Sequence, residues 1–268
     1  MTIKIIVSGA AGRMGSRIIA LHREYSDIEL AGALERKEHE GLGRDIGDML
    51  GLGSLGIKLS SEIKDFINRA DVLIEFSHPK ATLEHLREAE EKGCSAVIGT
   101  TGFTKEDVEE IKNLAKKIPC VFAPNMSVGV NLLLKVLGDV AKVLGNDYDI
   151  EIVEAHHRLK KDAPSGTALK MAQVIADALN RNLDDVAVYA RKGMIGERMK
   201  KEIGIQTIRA GDIVGEHTVI FGGLGERIEI THKASSRDTF ARGALKAAIW
   251  LYGKPAGLYD MQDVLGLK

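Results

Sequence analysis

Between Glu154 and Ala168 the chain reads EAHHRLKKDAPSGTA, with two adjacent imidazoles, three cations and a glycine flanked by hydroxyl residues. An imidazole with an ordinary pKa of about 6.5 is the side chain best suited to give or take a proton near neutrality. Nearby cations draw in an anionic substrate, whose charge in turn favours the imidazolium. The chemistry indicated is proton transfer on a small anion, with one of His156 and His157 as general acid. Lys160, joined by Arg158 or Lys161, would neutralise substrate charge. A basic surface loop with a satisfied histidine pair is the plainer alternative. Zinc is a third, with Glu154, His156, His157 and Asp162 as ligands. Adjacent residues of an extended segment point to opposite sides, however, and no third His or Cys lies at a metal spacing, so no metal is expected.

Local elements must hold these groups. Pro164 disfavours the α conformation at Ala163, so the chain arrives extended. Ala168, Met171, Ala172, Ile175 and Leu179 then recur at helical spacing. Ser165 reads as the N-cap, its hydroxyl accepting from the N–H of Thr167 or Ala168. The N–H groups of Gly166 and Thr167 would sit at the positive end of the helix dipole, a ready site for a carboxylate or phosphate. Upstream, residues 147–154 alternate polar and apolar, so His156 and His157 fall just past a strand end, where functional groups are common.

A second chemistry is written at the start of the chain. The apolar run from Thr2 to Ser8 leads into Gly9-Ala10-Ala11-Gly12-Arg13-Met14-Gly15 and then a helical pattern through Ile18, Ile19 and Leu21. Strand, glycine turn and helix is the setting of a dinucleotide fingerprint, here spaced GxxGxxG. The next strand, 29–34, ends in Glu35-Arg36, and an acidic residue at this distance is where a ribose hydroxyl is bound. Arg36, assisted by Arg13, suits the 2′-phosphate of NADP, so use of both NADH and NADPH is expected. Runs at 71–76, 95–98 and 120–123 are nearly all apolar, as in strands buried on both faces. The last two end in Gly99-Thr100-Thr101-Gly102 and Pro124-Asn125-Met126-Ser127, which should face the nicotinamide half of the coenzyme.

At 268 residues, with 44% hydrophobic and 28% charged residues, the composition is that of an ordinary globular protein. A net charge of −1 gives no reason to expect nucleic acid or an anionic membrane as partner. No run is apolar enough for a signal peptide or long enough to span a bilayer, and a cytoplasmic setting is expected. Cys94 and Cys120 fall beside predicted strands without a CxxC and read as core thiols. After Pro124 the pattern changes to a helix carrying Leu133, Val136, Leu137, Val140 and Leu144. Period-two strands follow at 203–209, 217–221 and 227–232, joined by glycine turns. The expected fold is α/β. Residues 1–127 and 237–268 would form a Rossmann-type doubly wound parallel sheet domain. Residues 128–236 would be an inserted α+β domain with a mostly antiparallel sheet, for substrate binding and oligomerisation.

Over its whole length the chain resembles the 4-hydroxy-tetrahydrodipicolinate reductase (dihydrodipicolinate reductase) family of the diaminopimelate and lysine pathway. The resemblance rests on the Gly9–Gly15 turn, Glu35-Arg36, Gly99-Thr100-Thr101-Gly102-Phe103, Pro124-Asn125-Met126-Ser127 and above all the run from Glu154 to Ala168. It implies NADH- or NADPH-dependent reduction of a small cyclic dicarboxylate by a homotetramer built through the sheet domain. It also implies roles: His156 as proton donor or acceptor, Lys160 as second proton donor, and His157, Ser165, Gly166, Thr167 and Thr101 as substrate ligands. Gly9, Ala10, Ala11, Gly12, Arg13, Met14, Glu35, Arg36, Gly99, Thr100, Thr101, Ala123, Pro124, Asn125 and Met126 would contact the coenzyme. Arg237, where the chain re-enters the first domain, is a candidate for the substrate or for a structural role at the junction.

Overall fold

Aliphatic runs in the first half of the chain form strands buried on both faces. In the computed structural model, which describes Thr2–Lys268, they are β1 (Ile3–Ser8), β2 (Ile28–Leu34), β3 (Leu59–Ser60), β4 (Val72–Glu75), β5 (Ser95–Ile98) and β6 (Pro119–Phe122). Between them lie α1 (Gly15–His22), α2 (Ile46–Met49), α3 (Pro79–Lys92) and α4 (Lys105–Leu114). There follow α5 (Val128–Leu144), β7 (Asp149–His156), α6 (Gly166–Ala178), α7 (Leu183–Val186), β8 (Ala187–Val188), β9 (Ile203–Arg209), β10 (Gly215–Gly222) and β11 (Arg227–Ala234). The chain closes with α8 (Asp238–Leu251), β12 (Gly257–Tyr259) and α9 (Met261–Leu265). Contacts divide it into two units, one of residues up to Val128 with Arg237–Lys268, the other of Gly129–Ser236.

The first unit is a parallel sheet of order β12-β6-β5-β4-β1-β2-β3. Strand alternation sends Ile5, Val7, Ile74 and Val97 into one core with Ile18, Ala244 and Leu245 of α1 and α8. Ile6, Leu73 and Ile98 enter another with Leu86 and Ile111 of α3 and α4. Each such side chain removed from water contributes roughly 1.5–3 kcal/mol, which explains why these strands are apolar on both sides. Helix ends are set locally. Pro79 opens α3 and Gly93, at φ 69°, closes it, while Thr104 and Asp107 form a capping box for α4. Strand order reverses between β1 and β4, and an open α/β sheet takes its ligand at the carboxyl ends beside such a reversal. Cys94 and Cys120 are buried free thiols, both pushed up to about 12 by burial.

The second unit is a five-stranded sheet of order β11-β10-β7-β9-β8. It is mixed: β11–β10 and β10–β7 are antiparallel, whereas β7–β9 and β9–β8 are parallel. The expected mostly antiparallel character therefore holds for half the pairings. The cause is α6, which makes the β7-to-β9 connection a crossover that returns the chain in the same direction. Leu137, Met171 and Ile175 of α5 and α6 cover Ile150, Ile152, Ile205, Val219 and Phe221. Alternation along β7 places Ile150, Ile152, Glu154 and His156 on its buried side. No helix of the described residues is long and apolar enough to cross a membrane.

Candidate active site

A carboxylate removed from water is stable only when its lone pairs are taken. Glu154, fully buried at the end of β7, is saturated. Its Oε2 accepts from His156 Nδ1 at 2.5 Å and Arg209 Nη1 at 2.8 Å. Its Oε1 accepts from Arg209 Nη2 at 2.8 Å, the Ser165 N–H at 3.0 Å and Thr207 Oγ1 at 3.2 Å. Sheet register supplies these partners. Thr207 lies opposite Glu154 and Arg209 opposite His156 in the β7–β9 pair, and His217 lies opposite Glu154 in the β10–β7 pair. With Nδ1 occupied, the His156 ring offers Nε2, and a Cβ on Gly215 would crowd that nitrogen at 3.1 Å.

The charges follow from this packing. Burial pulls His156 below its ordinary value; the hydrogen bond and charge of Glu154 push back, but Lys160 and Arg209 add to the downward pull. Burial works against an ionised Glu154, yet its bonds from Arg209, His156 and the Ser165 N–H hold it below the ordinary range. His217, whose ring lies 5.2 Å from that of His156, is pushed down to about 4 by burial, with His156 adding. At rest the site therefore holds neutral His156 and His217 beside a charged Glu154–Arg209 pair.

The anion cradle forms as the residue types dictate. Ser165 Oγ accepts from the Ala168 N–H at 3.2 Å, capping α6, and lies 3.1 Å from His217 Nε2. Gly166 begins the helix at an exposed position, and a Cβ there would project into open space, the space an approaching anion would occupy. Thr167 is half-buried on the same turn. His157 is half-buried too, and its Nδ1 is buried without a hydrogen-bond partner, an unmet requirement that points to a ligand. Lys160 Nζ lies 2.8 and 2.9 Å from the two oxygens of Asp162, and this bond draws Asp162 below the usual carboxylate range. Arg209 also donates to the Asp162 carbonyl at 2.6 Å. Arg158 and Lys161 are exposed. Glu154 and Arg209 thus tie His156, the cradle and the Lys160–Asp162 loop into one assembly. Residue types alone give Glu154 no role beyond the zinc alternative and miss Arg209, Thr207 and His217. The parity of β7 is the overlooked signal, because it sets Glu154 on the core-facing side, where a charge needs partners.

The first unit presents a separate set. Gly9, at φ 71°, and Gly15 have no room for a Cβ, which would meet the Phe76 carbonyl oxygen at 2.3 Å and the Gly9 carbonyl oxygen at 2.2 Å. The glycine turn is therefore folded as tightly as a diphosphate site requires, and no side chain caps α1 behind it. Glu35 accepts from the N–H groups of Ala11 and Arg36, each at 3.1 Å, which fixes its carboxylate beside the turn of Gly9, Ala10 and Gly12. Arg13 and Arg36 are exposed, and neither guanidinium has a partner among the described residues. Gly99 and Thr100 are buried, and Thr101 is exposed just beyond them. After β6, Ala123 and Met126 are buried, Pro124 is exposed, and Asn125 Oδ1 accepts from the Ser127 N–H at 2.9 Å. Gly243 of α8 lets the helix reach the Met126 carbonyl, which a Cβ would meet at 1.7 Å. The residues present fit a dinucleotide: a tight glycine turn, an uncapped helix start, an oriented carboxylate and two unpaired guanidiniums. Arg237 belongs by contact to this unit, half-buried at the start of α8.

Comparison with known proteins divides the chain near the same first boundary but assigns the last segment, which packs in the first unit, to the C-terminal family. The family "Dihydrodipicolinate reductase, N-terminus" matches residues 3–126, and "Dihydrodipicolinate reductase, C-terminus" matches residues 129–265. The 4-hydroxy-tetrahydrodipicolinate reductase of Syntrophobacter fumaroxidans is 58% identical over 266 residues, covering 99% of this chain and 100% of its own. That of Syntrophus aciditrophicus is 56% identical over 266 residues, covering 99% of each. Among solved structures, dipicolinate-bound dihydrodipicolinate reductase from Paenisporosarcina sp. TG-14 aligns with a TM-score of 0.76 at 25% identity, covering 98% of this chain and 99% of that one.

Proposed function

The chain belongs to the dihydrodipicolinate reductase family, and we infer that it reduces 4-hydroxy-tetrahydrodipicolinate to tetrahydrodipicolinate with NAD(P)H, in diaminopimelate and lysine biosynthesis. The net change adds a hydride and a proton and releases one water. A bound reduced nicotinamide supplies the hydride. The observation that carries the assignment of roles is the Glu154 carboxylate, which bonds both His156 Nδ1 and the N–H of the helix-capping Ser165. One buried group thereby holds a proton carrier and a carboxylate cradle at fixed spacing. His156 is neutral at rest; a bound dicarboxylate raises its proton affinity, so it takes up a proton and returns it at Nε2. Lys160 is the second proton donor, released from Asp162 when a substrate carboxylate competes for it. His157, Ser165, Gly166 and Thr167 grip the dianion, with Thr101 and Arg237 assigned to it as well.

On the coenzyme side, we assign the turn from Gly9 to Met14, Gly99 to Thr101 and Ala123 to Met126 to the dinucleotide. Glu35 takes the ribose hydroxyl of NADH, while Arg36 and Arg13 take the 2′-phosphate of NADPH. A homotetramer built through the second unit is supported by its edge strand β11, which leaves Ile228 exposed. A cytoplasmic setting is in keeping with the free thiols.

The test is an assay of NAD(P)H oxidation with the condensation product of aspartate semialdehyde and pyruvate. Turnover is expected with both coenzymes, and none with either would refute the assignment. His156→Ala and Lys160→Ala should each lower kcat about a hundredfold or more. Wild-type rates in both would remove them from catalysis. Arg36→Ala should weaken NADPH far more than NADH, and equal losses would show that Arg36 does not read the 2′-phosphate.

A further inference from the structure

The first unit holds a second buried carboxylate that the proton transfer does not use. Glu75, the last residue of β4, is fully buried, and it is the one carboxylate so placed among the described residues of that unit. Its Oε1 lies 2.7 Å from His85 Nδ1 on α3. Its Oε2 accepts from Ser77 Oγ at 2.7 Å and lies 3.1 Å from Thr82 Oγ1. Thr82 Oγ1 is also 2.9 Å from Thr100 Oγ1, which accepts from the Ser77 N–H at 3.1 Å. Ser8 Oγ stands 3.4 Å from His85 Nδ1. The unit's buried polar side chains thus gather here, four of them together, with His22, Ser95 and Ser127 elsewhere.

These groups join the carboxyl ends of β1, β4 and β5, below the strand-order reversal where an open sheet binds its ligand. The turns after β1 and β5 are those assigned to the coenzyme, and the turn after β4 locks them together. A Cβ on Gly9 would meet the Phe76 carbonyl oxygen at 2.3 Å, and one on Gly99 would meet the Phe76 ring at 2.3 Å. Displacing the β4 turn must therefore displace both neighbours. Stability alone is a poor account of such a pair, because buried ion pairs can be replaced by apolar side chains with little loss; holding a specific register is their best-attested use.

We propose that Glu75 and His85 are positioning residues for the reduced coenzyme, locking the turns after β1, β4 and β5 in the shape that receives its nicotinamide half. This rests on the coenzyme assignment of the first unit and not on the identity of the dicarboxylate. Burial pulls His85 down, but the bond and charge of Glu75, with Glu84 on its own helix and Glu62 before β4, outweigh it and leave His85 above its ordinary value. A histidine raised in this way is paired below its ordinary value and loses the pairing as pH rises through its folded value. Coenzyme affinity should therefore weaken on the alkaline side.

The experiment measures the Kd of NADPH and of NADH by coenzyme fluorescence, with no dicarboxylate present. Glu75→Gln and His85→Gln should each raise Kd about tenfold, a loss of about 1.4 kcal/mol of the kind that mispositioned contacts produce. Turnover at saturating coenzyme should stay within about threefold of wild type, and the KM of the dicarboxylate should not move. Wild-type Kd should rise between about pH 7 and about pH 9, and the His85→Gln value should be flat over that range. Should Glu75→Gln fail to fold, His85→Gln, at a partly exposed position, carries the test by itself. Values within twofold of wild type, or the same alkaline rise in His85→Gln as in wild type, would overturn the proposal. Because binding is read without the dicarboxylate, a failed turnover assay leaves this test standing.

Discussion

In the second unit Glu154 holds His156 Nδ1 at 2.5 Å, and in the first Glu75 holds His85 Nδ1 at 2.7 Å. Both carboxylates are fully buried near the carboxyl end of a strand, so pair geometry alone would predict like behaviour. The histidines nevertheless shift in opposite directions, His156 down and His85 up. Burial pulls both histidines down, and the difference lies in the other charges near each pair. Glu75 has neutral hydroxyls besides its histidine, and the nearby Glu84 and Glu62 add to its upward pull on His85. Glu154 also carries two bonds from Arg209, and Lys160 adds a further cation near His156. A buried glutamate–histidine pair is thus a fixed ion pair or a proton carrier according to the third charge beside it.

The sharpest way to break this comparison is to remove both carboxylates and ask which constant moves. Glu154→Gln should lower kcat about a hundredfold, as loss of a group that orients a proton carrier does, and leave the binary coenzyme Kd unchanged. Glu75→Gln should do the reverse, raising Kd and sparing kcat. Rapid-mixing turnover beside fluorescence titration separates the two, and losses in the same constant for both variants would erase the distinction. A smaller effect comes from Arg209→Gln, which should make the second pair resemble the first. Freed of the guanidinium, Glu154 keeps His156 as the ionisable partner among its hydrogen bonds, and the acid limb of kcat/KM should move up by on the order of one pH unit. An unmoved limb would mean that burial, and not Arg209, sets His156.

How far this was legible from residues depends on the range of each interaction. The cap at Ser165 follows from Pro164, the hydroxyl and the apolar spacing, all within one helical turn. The glycine turn beside Glu35 is nearly as local. The partners of Glu154 are not, because Thr207, Arg209 and His217 lie more than fifty residues on and arrive only through the register of β9 and β10 on β7. Reading 203–232 as successive hairpins puts β9 beside β10, whereas β7 lies between them, since a strand's own pattern does not record that α6 makes a crossover to the far side of β7. Glu75 is hidden in the sequence for another reason. It ends an apolar strand, and only the approach of α3 shows that the position is sealed.

The smallest effect tests the comparison through pH. His156 and His217 are held below the ordinary histidine value, His217 at about 4, so the unfolded or opened chain binds protons that the folded site refuses. Stability that depends on them is present at neutral pH and lost as pH falls. Between about pH 7 and about pH 6 each histidine kept neutral shifts the local equilibrium about threefold toward opening. His85 is already raised, so its contribution strengthens over the same interval. Aspartates and glutamates intrude little, because the resolved carboxylate shifts run downward, away from this window. His22 on α1 is also held down by burial, so the measurement has to be local. Hydrogen exchange of the Ser165 and Ala168 amides, bonded to Glu154 and its cap, should accelerate several-fold on acidification after correction for intrinsic rates. The Ser77 and Gly99 amides, bonded to Thr100 and the Glu75 carbonyl, should slow or hold steady. Acceleration of both pairs would mean that the third charge does not divide the two sites.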